Sequence, residues 1–189
     1  MALQAGRRIG QVWDDCQHLD ELIKANRFNV SCKSERDFEM RLSGLLDAHR
    51  QQFKGQLITQ VDKDASVQSV YCFGKKHRPD MAINQDGIAI ELKYLNGSLD
   101  GLKHSIGQSI FYRMRYRFVF SIYVIGENQK ETYLNAASGK ERDLEDLVAD
   151  LGDEMNIFSY FVPSFPAAPN VKSCLEWNSL NKPTAAAAA

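Results

Sequence analysis

The run Phe118-Val-Phe-Ser-Ile-Tyr-Val-Ile125 restricts the fold more than any other stretch of the chain. It is short, β-branched and aromatic, and it reads as a strand buried on both faces. A strand of that kind belongs in a sheet with helices on its two sides. It is far shorter than the ~20 residues that cross a bilayer, so it is no membrane span.

The segments around it fit such a sheet. Val12, Cys16, Leu19, Leu22 and Ile23 fall at helical spacing. Ser34-Glu35-Arg36-Asp37 resembles a capping box and opens a second helix, with Phe38, Leu42, Leu45 and Leu46 as its apolar stripe. Gln56–Val61 and Val67–Phe73 read as strands. Met81–Asn84 and Ile88–Tyr94 are strands around Asn84-Gln85-Asp86-Gly87, a hairpin signal. Leu102–Arg115 is helical, with Ile106, Ile110 and Met114 on one face. Glu141–Leu151 reads as an acidic surface helix and Met155–Val162 as a last strand. The expected fold is α/β, a central mixed sheet flanked by helices. Residues 1–30 are expected to form a helical extension, 31–163 the α/β domain and 164–189 an irregular tail.

The chain has 189 residues, 44% hydrophobic and 25% charged; its ten Phe, seven Tyr and two Trp can fill a core, which excludes global disorder. No apolar stretch follows Arg7-Arg8, so no secretory signal is expected and an intracellular, cytoplasmic setting is. Cys16, Cys32, Cys72 and Cys174 are widely spaced and the four histidines scattered, which points to reduced thiols and gives no zinc-ligand spacing. The net charge of −1 hides an asymmetry: Tyr71–Phe120 holds eight Lys or Arg against four Asp or Glu. A local basic excess of this kind suits a polyanionic partner.

The chemistry lies within that basic stretch. Side chains alternate along a strand, so Glu91 and Lys93 share a face with small Ala89, while Ile88, Ile90 and Leu92 turn to the core. If Asn84–Gly87 form the loop, Asp80 lies opposite Glu91. If Asp86-Gly87 form a two-residue turn, Asp80 lies opposite Lys93. Either register gathers the three groups on one face. Carboxylates directly opposite one another, with Cβ atoms roughly 5 Å apart, repel unless something positive sits between them. Lys93 is one such charge, and a hard cation such as Mg²⁺, held by Asp80, Glu91 and the Leu92 carbonyl, is another. On the next helix Gln108 and Tyr112 are four apart and Arg115 continues their face, which could hold a phosphodiester backbone.

Arg78-Pro79-Asp80, Ile90-Glu91-Leu92-Lys93 and Gly107-Gln108-Ser-Ile-Phe-Tyr112 together resemble the PD-(D/E)XK nuclease superfamily, and the Gln-x-x-x-Tyr pair resembles its RecB-like branch. The resemblance spans Ser34 to about Ile125 and implies a restriction-endonuclease-like α-β-β-β-α-β core. It implies Asp80 and Glu91 as metal-binding acids, Lys93 as the catalytic lysine, and Gln108 and Tyr112 as the accessory pair. It also implies an acid on the first helix of the core, Glu35 with Glu39 as its rival. Lys75-Lys76-His77-Arg78 could meet phosphates, with Lys76, Arg78, Tyr112 and Arg115 binding substrate.

The expected activity is Mg²⁺-dependent hydrolysis of phosphodiester bonds by metal-activated water, with Mn²⁺ able to substitute. DNA stands ahead of RNA on family grounds. A homodimer or partner subunits would suit a nuclease of this size, and no membrane partner is expected. The alternatives are a non-catalytic nucleic-acid-binding or assembly module on the same fold, and an interaction protein without a nucleic-acid role.

Overall fold

The computed structural model describes residues 8–25, 32–59, 67–97, 100–165 and 174–177. Helix α1 spans Gln11–Lys24 and α2 Glu35–Ala48. Strand β1, Leu57–Thr59, is followed by a small ribbon of β2, Val70–Cys72, and β3, Lys75–His77. The chain continues through β4, Met81–Ile83, β5, Ile88–Leu95, and α3, Asp100–Tyr112. After β6, Phe118–Ile125, come α4, Lys130–Ala137, α5, Arg142–Met155, and β7, Ile157–Pro163.

Five strands form one sheet in the order β1-β4-β5-β6-β7. β1, β4 and the start of β5 pair antiparallel, while β5, β6 and β7 run parallel. The sheet is therefore mixed, as expected. Its parallel half is joined by helical crossovers: α3 links β5 to β6, and α4 with α5 links β6 to β7.

Both faces of the sheet are covered, which explains why every residue of β6 is buried. One face carries Ile88, Ile90, Leu92, Phe118, Phe120, Ile122 and Phe158 against α1 and α2. The other carries Ala89, Val119, Tyr123 and Phe161 against α3, α4 and α5. Trp13, Cys16, Leu19 and Ile23 of α1 sit in the same cluster as the sheet's central strands. The helix expected as an extension thus forms one layer of the core. Leu175, within the expected irregular tail, is 4% exposed and pairs with Phe161 of β7 through both backbone groups. The remainder of that tail, 166–173 and 178–189, and residues 1–7 lie outside the described residues. The four cysteines are free.

The hairpin loop is Asn84–Gly87, since Ile83 pairs with Ile88 and Met81 with Ile90. Asn84 adopts φ 59°, and its side-chain carbonyl accepts from the Gln56 amide at 2.9 Å, tying the loop to the entry of β1. Extending the register by one residue puts Asp80 opposite Glu91, the first of the two alternatives.

Two expectations are corrected. Val67–Phe73 is not one strand: only Val70–Cys72 is extended, and it pairs with Lys75–His77 rather than with the main sheet. The face of α3 expected to be apolar, Ile106, Ile110 and Met114, is not its most buried one: Leu102, Ser105, Ser109 and Tyr112 are buried, while Ile106 and Ile110 are half-buried against the core. Met114 lies beyond the helix and is 51% exposed. The serines explain this choice. Their small side chains let α3 approach the sheet closely, and the Ser109 hydroxyl meets that of Ser121 on β6 at 2.7 Å.

Candidate active site

β4 is three residues long and β5 eight, so beyond Ile90 the side of β5 that faced β4 has no strand beside it. The Gly87 and Leu95 carbonyls accept from Phe118 and Gly126 on the β6 side. Odd-numbered residues of β5 therefore turn their backbone groups to β6, and even-numbered ones turn theirs to the β4 side. The amides of Leu92 and Tyr94 consequently point at the gap. Each is met by a carboxylate: Asp80 Oδ2 accepts from Leu92 N at 2.7 Å, and Glu35 Oε2 from Tyr94 N at 3.1 Å. The Leu92 carbonyl turns to the same side, because N–H and C=O of one strand residue point the same way.

Asp80 owes its position to Pro79, which is buried, and to the hairpin register. Glu35 is the first residue of α2, whose start is fixed by Ser34: the Ser34 hydroxyl accepts from the Asp37 amide at 3.2 Å, and the Asp37 carboxylate in turn faces the Lys33 amide. Strand alternation brings Glu91 and Lys93 to the α3 side. Glu91 is 6% exposed and accepts from the Tyr112 hydroxyl at 3.0 Å. The Lys93 stem runs beside Gly101 at the start of α3, and its ammonium reaches Glu35 Oε2 at 3.1 Å.

The electrostatics are those of acids crowded out of water. Burial pushes the Asp80 carboxyl up to about 6; the Leu92 amide opposes this, Glu39 and Glu35 reinforce it, and Lys93 opposes it. Glu91 is pushed up to about 8 by burial and then by Asp80, against the Tyr112 hydrogen bond and Lys93. Both shifts run in one direction: burial and crowding disfavour two full charges on the pair. Tyr112 is itself held well above the usual phenol range, by burial and by Glu91. It stays protonated and acts only as a donor.

Asp80, Glu91, Lys93, Leu92 and Glu35 are thus gathered at one place, with Tyr112 behind them. Glu39, one turn along α2, is half-buried and acts on Asp80 through its charge, so both rival helix acids face the site. Tyr112 is 0% exposed; it holds Glu91 and offers no surface to a substrate. Gln108, one turn earlier on α3, is half-buried and is joined to neither acid by a hydrogen bond. Arg115 is exposed beyond the end of α3, where its charge acts on Tyr116. Lys76 and Arg78 are exposed, on β3 and on the segment leading to Asp80. The feature missed in the sequence is the β2–β3 ribbon next to this segment. Its signal was Phe73-Gly74, a two-residue turn between short runs.

Among the described residues no three or more His, Cys, Asp and Glu side chains converge to hold a metal ion by themselves. No described helix is long and apolar enough to cross a membrane. No protein-family model, curated protein or solved structure matches this chain.

Proposed function

We propose that the chain is a divalent-cation-dependent nuclease that hydrolyses phosphodiester bonds, in DNA ahead of RNA, with a restriction-endonuclease-like core of the PD-(D/E)XK kind. One observation carries this reading: Asp80 and Glu91 are withdrawn from water opposite each other, burial raises both carboxyls, and neighbouring acids raise them further, Asp80 acting on Glu91, and Glu39 with Glu35 on Asp80. Two acids in that position weaken the fold, and a cation between them reverses the sign of the interaction. The donors suit Mg²⁺, with Mn²⁺ as substitute. Two carboxylates and the Leu92 carbonyl are hard oxygens, and Mg²⁺ characteristically takes one or two carboxylates and completes its shell with water and substrate phosphate. Side chains alone therefore need not enclose it.

When bound, the cation would lower the pKa of a water and neutralise charge building on the phosphate. Asp80 and Glu91 would hold it, aimed by hydrogen bonds from the Leu92 amide and the Tyr112 hydroxyl. Lys93 rests its ammonium on Glu35 and lies on the same face as Glu91. From there it can orient the attacking water or stabilise the pentacovalent phosphate. Glu35 holds that amine in place.

The test is cleavage of DNA by the purified protein in Mg²⁺, with Asp80→Asn and Lys93→Ala assayed beside it. Activity is expected to vanish on adding EDTA and to fall by at least about 100-fold in either variant. Cleavage that survives both substitutions refutes the assignment. Salt-dependent DNA binding without cleavage in Mg²⁺ or Mn²⁺ would mark a binding module instead.

A further inference from the structure

The β2–β3 ribbon stands out from the rest of the surface. Its turn is Phe73-Gly74, with φ of 50° and 71°. A two-residue hairpin loop with both φ positive is the type I′ turn, which favours Asn-Gly or Asp-Gly. A bulky aromatic residue is an outlier in that conformation. The strain gives the fold nothing in return, because the Phe73 ring is 96% exposed. Two residues earlier Tyr71 is 67% exposed. Single exposed apolar residues are ordinary, but a strained and almost wholly exposed phenylalanine beside an exposed tyrosine points to a partner.

The base of the ribbon is fixed while its tip is bare. Val70 is buried in the cluster that holds Tyr112. The Tyr116 hydroxyl donates to the Gln68 carbonyl at 2.8 Å. The His77 ring lies 4.9 Å from that of Phe111, the neighbour of Tyr112 on α3. Across the ribbon Tyr71 pairs with Lys76 and Cys72 with Lys75, and both lysines are exposed. From Val67 to Pro79 there is no Asp or Glu. Asp80 lies three residues after His77, a span of at most about 11 Å.

We propose that the β2–β3 ribbon is a base-stacking finger, in which Phe73 and Tyr71 take the faces of unpaired bases in a DNA strand while Lys75 and Lys76 meet its phosphates. The choice of DNA rests on the nuclease reading; the need for a partner does not. An unpaired strand fits better than a duplex. The tip offers two rings and flanking ammonium groups, the elements of sequence-tolerant single-strand binding, and it has no side chains at its apex suited to read base edges. A basic, acid-free ribbon also suits a polyanion better than an apolar protein groove. The finger would lead one strand toward Asp80, with Arg78 between.

The test is fluorescence anisotropy with a fluorescein-labelled oligodeoxythymidine and with a blunt duplex of equal length, in EDTA so that nothing is cut. The wild-type protein is expected to bind the single strand more tightly. Phe73→Asn, which places a favoured residue in the turn, should weaken that binding about 10-fold while leaving the melting temperature unchanged or higher. Combining Lys75→Gln with Lys76→Gln should flatten the salt dependence of single-strand binding by roughly 1.4 in log–log slope. Unaltered single-strand binding by Phe73→Asn overturns the proposal. So does a loss confined to the duplex, which would make the ring a wedge, and so does a wild-type protein that binds neither probe. The assay needs no metal and no turnover, so the two readings fail separately. Intact binding effects with no cleavage in Mg²⁺ sink only the nuclease; cleavage with an inert Phe73 sinks only the finger.

Discussion

Replacing Glu91 by Gln should make the metal-free protein more stable. Glu91 is 6% exposed, opposite Asp80, and its carboxyl is raised from 4.5 to about 8. Between those two values the folded protein keeps a proton that the unfolded chain has lost. Stability therefore falls as pH rises through this window; the penalty is absent below 4.5 and complete above about 8. At about 1.4 kcal/mol per pH unit, ionisation in the unfolded chain disfavours folding by about 3 kcal/mol at pH 7. Gln keeps the volume and an acceptor for the Tyr112 hydroxyl, and it has no proton to hold. The variant should gain on the order of 1–3 kcal/mol at pH 7, a rise in melting temperature of roughly 3–10 °C for a chain of this size. Urea unfolding in EDTA across the mildly acidic to mildly alkaline range, followed by far-UV circular dichroism, measures the effect. The wild-type curve should fall with pH and the variant's fall less, with a gap that widens until about pH 8. A variant less stable than wild type at that pH, or a gap that ignores pH, refutes the argument.

Two further perturbations separate catalysis from folding. Tyr112→Phe removes the hydroxyl that aims Glu91 while keeping the buried ring; it should cost roughly 1–3 kcal/mol in urea unfolding and lower cleavage without weakening DNA binding, since no part of Tyr112 reaches the surface. A matching loss of DNA affinity would show that Tyr112 does meet substrate. Asp15→Ala acts far from the acids: the Asp15 carboxylate, 2% exposed, accepts from the Lys54 and Gly55 amides at 2.7 and 2.9 Å. Its loss leaves two amides without that acceptor and should cost roughly 3 kcal/mol in the same assay. A cost below about 1 kcal/mol would show that water replaces it.

The main sheet was legible because its signals are local. The mostly apolar β6 announced two covered faces, and Asn84–Gly87 announced the hairpin while leaving Asp80 opposite either Glu91 or Lys93, a choice that the Ile83–Ile88 pairing makes for Glu91. The inner face of α3 was not legible, because counting apolar residues selects Ile106 and Ile110, while close packing on β6 selects serines. Lys75-Lys76-His77 carries no strand propensity, and it is extended because the Phe73-Gly74 turn folds it back on Val70–Cys72. Glu35 and Glu39 could not be told apart from the sequence, since residues four apart share a helix face. In the structure they differ in role: Glu35 bonds Lys93 and the Tyr94 amide, and Glu39 acts on Asp80 by charge.

The unequal lengths of β4 and β5 account for why acids stand here at all. A strand that outruns its neighbour leaves backbone amides pointing into a gap, and a partly buried amide needs an acceptor. A third β4-side neighbour could supply backbone carbonyls and close the sheet, but it would also bar any substrate from the strand. Side-chain carboxylates satisfy the same amides and leave the edge approachable. Asp80 and Glu35 therefore do two jobs with one geometry. Each is fixed by a single oxygen on a β5 amide, at Leu92 and Tyr94, which orients the group before any cation arrives. This also dictates how the site must be probed. Asp80→Asn keeps an acceptor for Leu92 and removes only the charge, whereas Asp80→Ala strips the amide as well and confounds lost catalysis with a loosened strand.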